Sequence, residues 1–198
     1  MSEKPNSRDS ILDAAARLFF SQGYHATGIS QVIKESECPK GSVYYYFPEG
    51  KEQIAFECIL NANQFISLKM RSCFKQAGSF EGGMRLFIDE MIAYGEKVRF
   101  SGFTPFSFWV AAETSCISEK LRDASVEVFS NWRAVIAEQL DADGVTPQHA
   151  EEIALLVISL LEGSNILAST FQNKLPLLTV SKHLDFIKYV IMNSQEEQ

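Results

Sequence analysis

Apolar residues recur at intervals of three and four along most of this 198-residue chain, and no stretch shows the strict alternation of a half-buried strand. Ile11, Ala15, Leu18 and Phe19 predict a helix from Ser7 to Gln22, with Asp9 in its first turn and Gly23 as its stop. Thr27 is placed to cap a short second helix that turns Ile29, Val32 and Ile33 inward. After Glu37-Cys38-Pro39 a third short helix runs through KGSVYYYF, with Val43 and Phe47 on its buried side. Three short helices joined by tight turns within fifty residues form the pattern of a helix-turn-helix head.

Beyond Pro48 and Gly50 the elements lengthen. A helix is predicted from Lys51 to about Gln76, then a loop at Ala77-Gly78-Ser79 and Gly82-Gly83, then a helix from Leu86 to Arg99. Thr104-Pro105 and Thr146-Pro147 each pair a hydroxyl cap with proline at the first helical position, so each opens a helix, and Ser118 caps a segment running to Leu140. The last two helices are predicted at Pro147–Phe171 and Pro176–Met192. The former is apolar nearly all round, with Gly163, Ser164 and Ala168 leaving room for another helix, and the latter carries the single stripe Val180, Leu184, Ile187, Ile191. The fold class is therefore all-α, with a small head over residues 1–50 and a larger bundle over residues 51–198.

Charge changes this picture in one respect. The formal net charge is −7, which taken alone disfavours a nucleic-acid partner, yet residues 1–51 carry six basic and six acidic side chains. The whole deficit lies in the remainder, with 12 Lys+Arg against 19 Asp+Glu. A neutral head on an acidic body permits DNA binding by the head. Cys38, Cys58, Cys73 and Cys116 form no Cys-x-x-Cys pair and lie near no zinc-type histidine spacing, so they read as reduced thiols of a cytoplasmic protein, and neither a metal nor a cofactor is implied. The opening MSEKPNSRDS lacks the apolar stretch of a secretory signal, and the richest apolar run, Ile153 to Leu161, falls short of the roughly 20 residues that cross a bilayer. No membrane partner is expected.

Two lysines carry the first candidate chemistry. Lys40 and Lys51 fall in the first turns of their helices, where the macrodipole disfavours a cation by about 0.3 to 1 kcal/mol. Either they are solvated lysines, or they await a phosphate that would meet ammonium, free amides and dipole together. Pro39 supplies no side-chain acceptor, which leaves the amides of Gly41 and Ser42 open to an outside anion. Gly41 either admits a backbone closely or packs against the first helix. With Val43 and Phe47 buried, Tyr44, Tyr45 and Tyr46 spread over flank and exposed side, where a phenol can donate to phosphate and its ring can lie on a sugar or a thymine methyl.

These residues together match a known pattern. Ile11-Leu12-x-Ala14-Ala15-x-x-Leu18-Phe19-x-x-x-Gly23-Tyr24-x-x-Thr27, followed by Lys40-Gly41-Ser42-Val43-Tyr44-Tyr45-Tyr46-Phe47 and Lys51-Glu52, resembles the DNA-binding head of TetR-type bacterial transcriptional regulators. PKGSVYYYFPEGKEQI, together with AAETS at Ala111 to Ser115, resembles the subgroup typified by LmrA and YxaF. Two positions depart from the family: Glu37 stands where glycine is usual in the turn, and Pro39 where serine usually caps. The resemblance implies a double-stranded DNA operator as partner, with Thr27, Pro39, Lys40, Gly41, Ser42, Tyr44, Tyr45, Tyr46 and Lys51 at the interface. Within that set Lys40 and Ser42 would read base edges, and Thr27, the three tyrosines and Lys51 would hold phosphates.

In the bundle, Phe100, Phe103, Phe106, Phe108 and Trp109 fall within ten positions, and on a helix beginning at Pro105 the residues Phe106, Trp109, Val110 and Glu113 share a face. That face is either core packing with Glu113 at its rim, or a pocket wall in which Glu113 orients a ligand. The resemblance implies the second, a small apolar or aromatic effector, and a homodimer through the last two helices. Phe65, Met91, Tyr94, Phe106, Trp109, Glu113, Trp132 and Asn165 are the candidate lining. An enzyme is not expected, because His25, His149 and His183 have no nucleophile motif beside them. An all-helical adaptor without DNA binding is the alternative, and it leaves the paired lysines around a tyrosine-rich helix unexplained.

Overall fold

The computed structural model describes residues 7–100 and 118–193. Among them the chain forms eight helices and no strand: α1 (Ser7–Ala26), α2 (Ile29–Ser36), α3 (Lys40–Tyr46), α4 (Lys51–Ala77), α5 (Phe80–Lys97), α6 (Glu119–Ala142), α7 (Pro147–Phe171) and α8 (Leu175–Asn193). The described residues divide into two compact units, one of residues 7–62 with 118–128 and one of residues 63–100 with 129–193.

In the first unit the core is built from the predicted apolar positions. Ile11, Ala15 and Phe19 of α1, Val32 of α2, Val43 of α3, Phe47 and Ile54 are fully buried, and α1 packs on both α2 and α3. Gly23 interrupts α1 at φ 85 and ψ 170, so the regular helix ends at the expected stop, although helical hydrogen bonding resumes as far as Ala26. Thr27 differs from expectation. Gly28 is the cap of α2, with its amide donating to Gln31 Oε1 at 2.7 Å, while the Thr27 hydroxyl donates to Gly23 O at 2.7 Å and secures the preceding turn. Cys58 is buried, its thiol pushed up to about 12 by burial first and then by Glu57 and Asp13, so it stays protonated as a small core hydrophobe.

In the second unit α5 begins six residues before the predicted Leu86. Gly82 and Gly83 lie inside the helix instead of in a loop. Ser79 caps it by accepting from the Gly82 amide at 3.2 Å, and Asp143 accepts from the Phe80 amide at 2.7 Å. Gly83 is there for space, since a β-carbon on it would lie 2.8 Å from Phe74 Cα and 2.3 Å from the Phe74 ring. After α6, Gly144 at φ 85 ends the helix, and the Val145 amide reaches back to Leu140 O at 3.0 Å with both side chains buried. Thr146 and Pro147 open α7 at the predicted boundary, although the Thr146 hydroxyl makes no capping hydrogen bond. Three ion pairs tie α8 and the turn before it to α5: Arg85–Asp185 at 2.6 Å, Lys188–Glu81 at 2.9 Å and Lys174–Glu96 at 2.7 Å.

At 25 residues, α7 exceeds the apolar run from which it was read, and by length and composition alone it would suffice to cross a bilayer. It packs along α8 and buries Ile153, Ala154, Val157 and Leu161, as a core helix does. Of the α8 stripe, Val180 and Leu184 are buried and Ile187 is half-buried, while the side chain of Ile191 lies outside those described. The helix predicted at Pro105, the AAETS motif and Cys116 also lie outside the described residues.

Candidate nucleic-acid interface

Burial of Val43 and Phe47 fixes which side of α3 faces out. Tyr45 is 79% exposed and Tyr44 43%, while Tyr46 is half-buried with its ring meeting Tyr45 edge-on at 5.1 Å. Lys40 is exposed, its ammonium 5.9 Å from the centre of the Tyr44 ring. A β-carbon on Gly41 would meet nothing within 4 Å, so the glycine makes no tight contact with α1. Ser42 is half-buried and its amide donates to Pro39 O at 2.9 Å, so this amide is not open as the sequence suggested. Pro39 is exposed, and among the described residues no side chain caps α3.

Glu37 holds the turn between α2 and α3 at φ 55 and ψ 19, the left-handed conformation that glycine adopts without strain. Its backbone amide donates to Lys34 O at 3.4 Å, and its side chain is exposed. Thr27, expected among the contacts, is fully buried with its hydroxyl bonded inward, so it presents no side-chain surface.

The start of α4 completes the outward face. Lys51 sits with its ammonium 4.0 Å from the centre of the Tyr24 ring, a geometry that orients the charge. The Tyr24 phenol is raised by burial and then by the charge of Glu52. Lys40 and Lys51 thus bracket a seven-residue helix whose exposed surface is phenolic. Such a surface suits a polyanion carrying sugars and base edges: ammonium and phenol groups donate to phosphate, and flat rings cover apolar patches.

The candidate pocket residues differ in burial. Phe65 and Tyr94 are 69% and 56% exposed, Met91 is half-buried, and Trp132 and Asn165 are buried. Trp132 meets Phe129 edge-on at 5.4 Å. Asn165 Oδ1 has no hydrogen-bond partner among the described residues. Phe106, Trp109 and Glu113 lie outside the described residues. Among the described residues no group of histidine, cysteine and carboxylate side chains could hold a metal ion.

Two family models match. One, described as bacterial regulatory proteins of the tetR family, covers residues 11–58, and the other, the C-terminal domain of LmrA/YxaF-like transcriptional regulators, covers residues 82–183. The chain belongs to the TetR family. Within it, this TetR-family protein is 39% identical over 176 residues to the HTH-type transcriptional regulator LmrA of Bacillus subtilis, covering 89% of the one chain and 93% of the other. It is 34% identical over 184 residues to YxaF of the same organism, covering 93% and 96%. A TetR transcriptional regulator from Legionella pneumophila shares the fold with a TM-score of 0.82 at 19% identity, covering 93% of this chain and 98% of that one. NemR of E. coli, in its reduced form, does so with a TM-score of 0.77 at 20% identity, covering 92% and 97%. This TetR-family protein is a DNA-binding transcriptional regulator, and regulators of the family act as dimers.

Proposed function

We propose that the protein is a repressor that binds a palindromic operator as a homodimer and leaves it when a small apolar or aromatic effector occupies the body. On this reading residues 1–50 hold the operator and residues 51–198 provide the effector site and the dimer. The observation that carries it is the outward face of α3, where exposed Tyr44 and Tyr45 stand between Lys40 and Lys51. Lys40 and Ser42 read base edges, while the tyrosines and Lys51 hold phosphates, with Pro39 and Gly41 leaving the approach unobstructed.

Dimerisation through α7 and α8 is supported by a row of exposed side chains on α7, Leu156, Ile166, Leu167 and Phe171, continued on α8 by Phe186 and Tyr189. Gly163 lies within the α7 row with open space above it, so a second helix can approach closely there. Two heads presented by such a dimer match two half-sites about one helical turn apart. For the effector, buried Trp132 supplies apolar surface and the Asn165 side-chain carbonyl an acceptor, with half-buried Met91 a further member of the proposed set. Phe65 and Tyr94 are exposed, and Phe106, Trp109 and Glu113, expected in the same set, lie outside the described residues. An effector releases DNA only to the extent that it prefers the shape with misaligned heads.

Selection of duplexes from a random library, followed by titration at several salt concentrations, tests the DNA half. The expected result is an inverted repeat whose affinity falls steeply with salt, with a slope that Lys51→Ala reduces by about 1.8, that is about 0.9 for each of the two copies. Enrichment of no duplex would favour the adaptor. The effector half is tested by adding aromatic compounds to the complex, and a compound that binds tightly while operator affinity stays constant contradicts release.

A further inference from the structure

The first two turns of α4 and the turn before them hold a concentration of carboxylates where the proposed interface needs positive charge. Glu49 lies two residues before Lys51, Glu52 directly after it, and Glu57 one and a half turns further on. Each is occupied by a donor from another element. Arg8 of α1 pairs with Glu57, which also accepts from Gln53 at 3.1 Å. Lys120 of α6 reaches Glu49 at 2.6 Å, its ammonium 5.0 Å from the centre of the Phe56 ring. Ser118, whose hydroxyl caps α6 by accepting from the Leu121 amide at 3.2 Å, donates to Glu52. Residues 118–128 belong to the same compact unit as α1 to α3, although 71 residues separate Lys120 from Glu49.

We propose that Lys120 is a positioning residue for DNA binding: it neutralises Glu49, two residues before Lys51, while the Ser118 hydroxyl holds Glu52 by a hydrogen bond, so that a phosphate can approach that lysine. The inference rests on the reading of Lys51 as a phosphate contact. The side chains of Lys120 and Glu49 are 40% and 60% exposed, and ion pairs that open contribute little to folding, so the pair is poorly explained as a brace. Its effect on an incoming polyanion is larger in proportion. A bare carboxylate within a Debye length of a phosphate repels it, whereas a paired one does so weakly. Loss of the ammonium at 120 would expose Glu49, two residues from the group meant to attract DNA.

The test uses the full chain, a duplex selected from a random library, and a duplex of scrambled sequence. Lys120→Ala is expected to weaken binding to both by about three- to tenfold, because phosphate contacts are indifferent to sequence. Lys120→Arg retains wild-type affinity. Adding Glu49→Gln to Lys120→Ala restores binding to within about twofold. Restoration with the thermal midpoint unchanged in each variant separates charge from structure, since loss of a brace would lower the midpoint. Affinity of Lys120→Ala within twofold of wild type overturns the proposal, and so does a loss that Glu49→Gln fails to relieve. A wild-type chain that enriches no duplex overturns the DNA reading and this inference with it, whereas a selected duplex bound equally by wild type and Lys120→Ala overturns this inference alone.

Discussion

Glu37 is the residue at which local conformational preference and position disagree most plainly. Its φ of 55 suits glycine, an L side chain there is disfavoured by about 1 to 2 kcal/mol, and the exposed carboxylate makes no hydrogen bond or ion pair among the described residues. Glu37→Gly is therefore expected to stabilise the chain by about 0.5 to 1 kcal/mol even after the added freedom of the unfolded chain, read as a higher urea midpoint at unchanged slope. An unchanged or lower midpoint would show that the side chain makes a compensating contact. Thr27 shows the opposite relation. Its residue type fitted both a cap and a phosphate contact, and only the position of Gly23 O decided that the hydroxyl turns inward.

At the scale of elements, helices marked by chemistry at their ends were readable, and those shaped by distant neighbours were not. Gly23, Pro39, Lys51, Ser118 and Thr146-Pro147 fixed boundaries locally, and Val43 with Phe47 fixed the inward side of α3, so the outward set followed from sequence. Gly82-Gly83 misled because glycine signals a turn unless space is the reason for it, and Phe74, which takes that space, is nine residues away. Gly83→Ala is expected to destabilise the chain by about 1 to 3 kcal/mol through overpacking against the backbone of Phe74, a lower thermal midpoint being the readout. A helix-propensity gain that left the midpoint raised would contradict the close approach. The clasp of Ser118 and Lys120 on Glu52 and Glu49 was illegible for the same reason: no local pattern joins residues 66 and 71 positions apart.

For the whole molecule, the exposed apolar row on α7 sets the expected assembly. Leu167→Asp would place a carboxylate in that row on each copy, weakening the dimer by about 3 kcal/mol or more, about 100-fold in dissociation constant. Sedimentation at micromolar concentration should show a monomer with unchanged helicity and lost operator affinity. A dimer that persists would move the interface elsewhere. The turn at Glu37 also bears on how such a regulator changes over generations. Glutamate and glycine codons differ by a single base, so a lineage selected for heat resistance alone reaches the relaxed turn in one mutational step, and its first survivors would carry an altered charge beside the reading helix as an unselected companion.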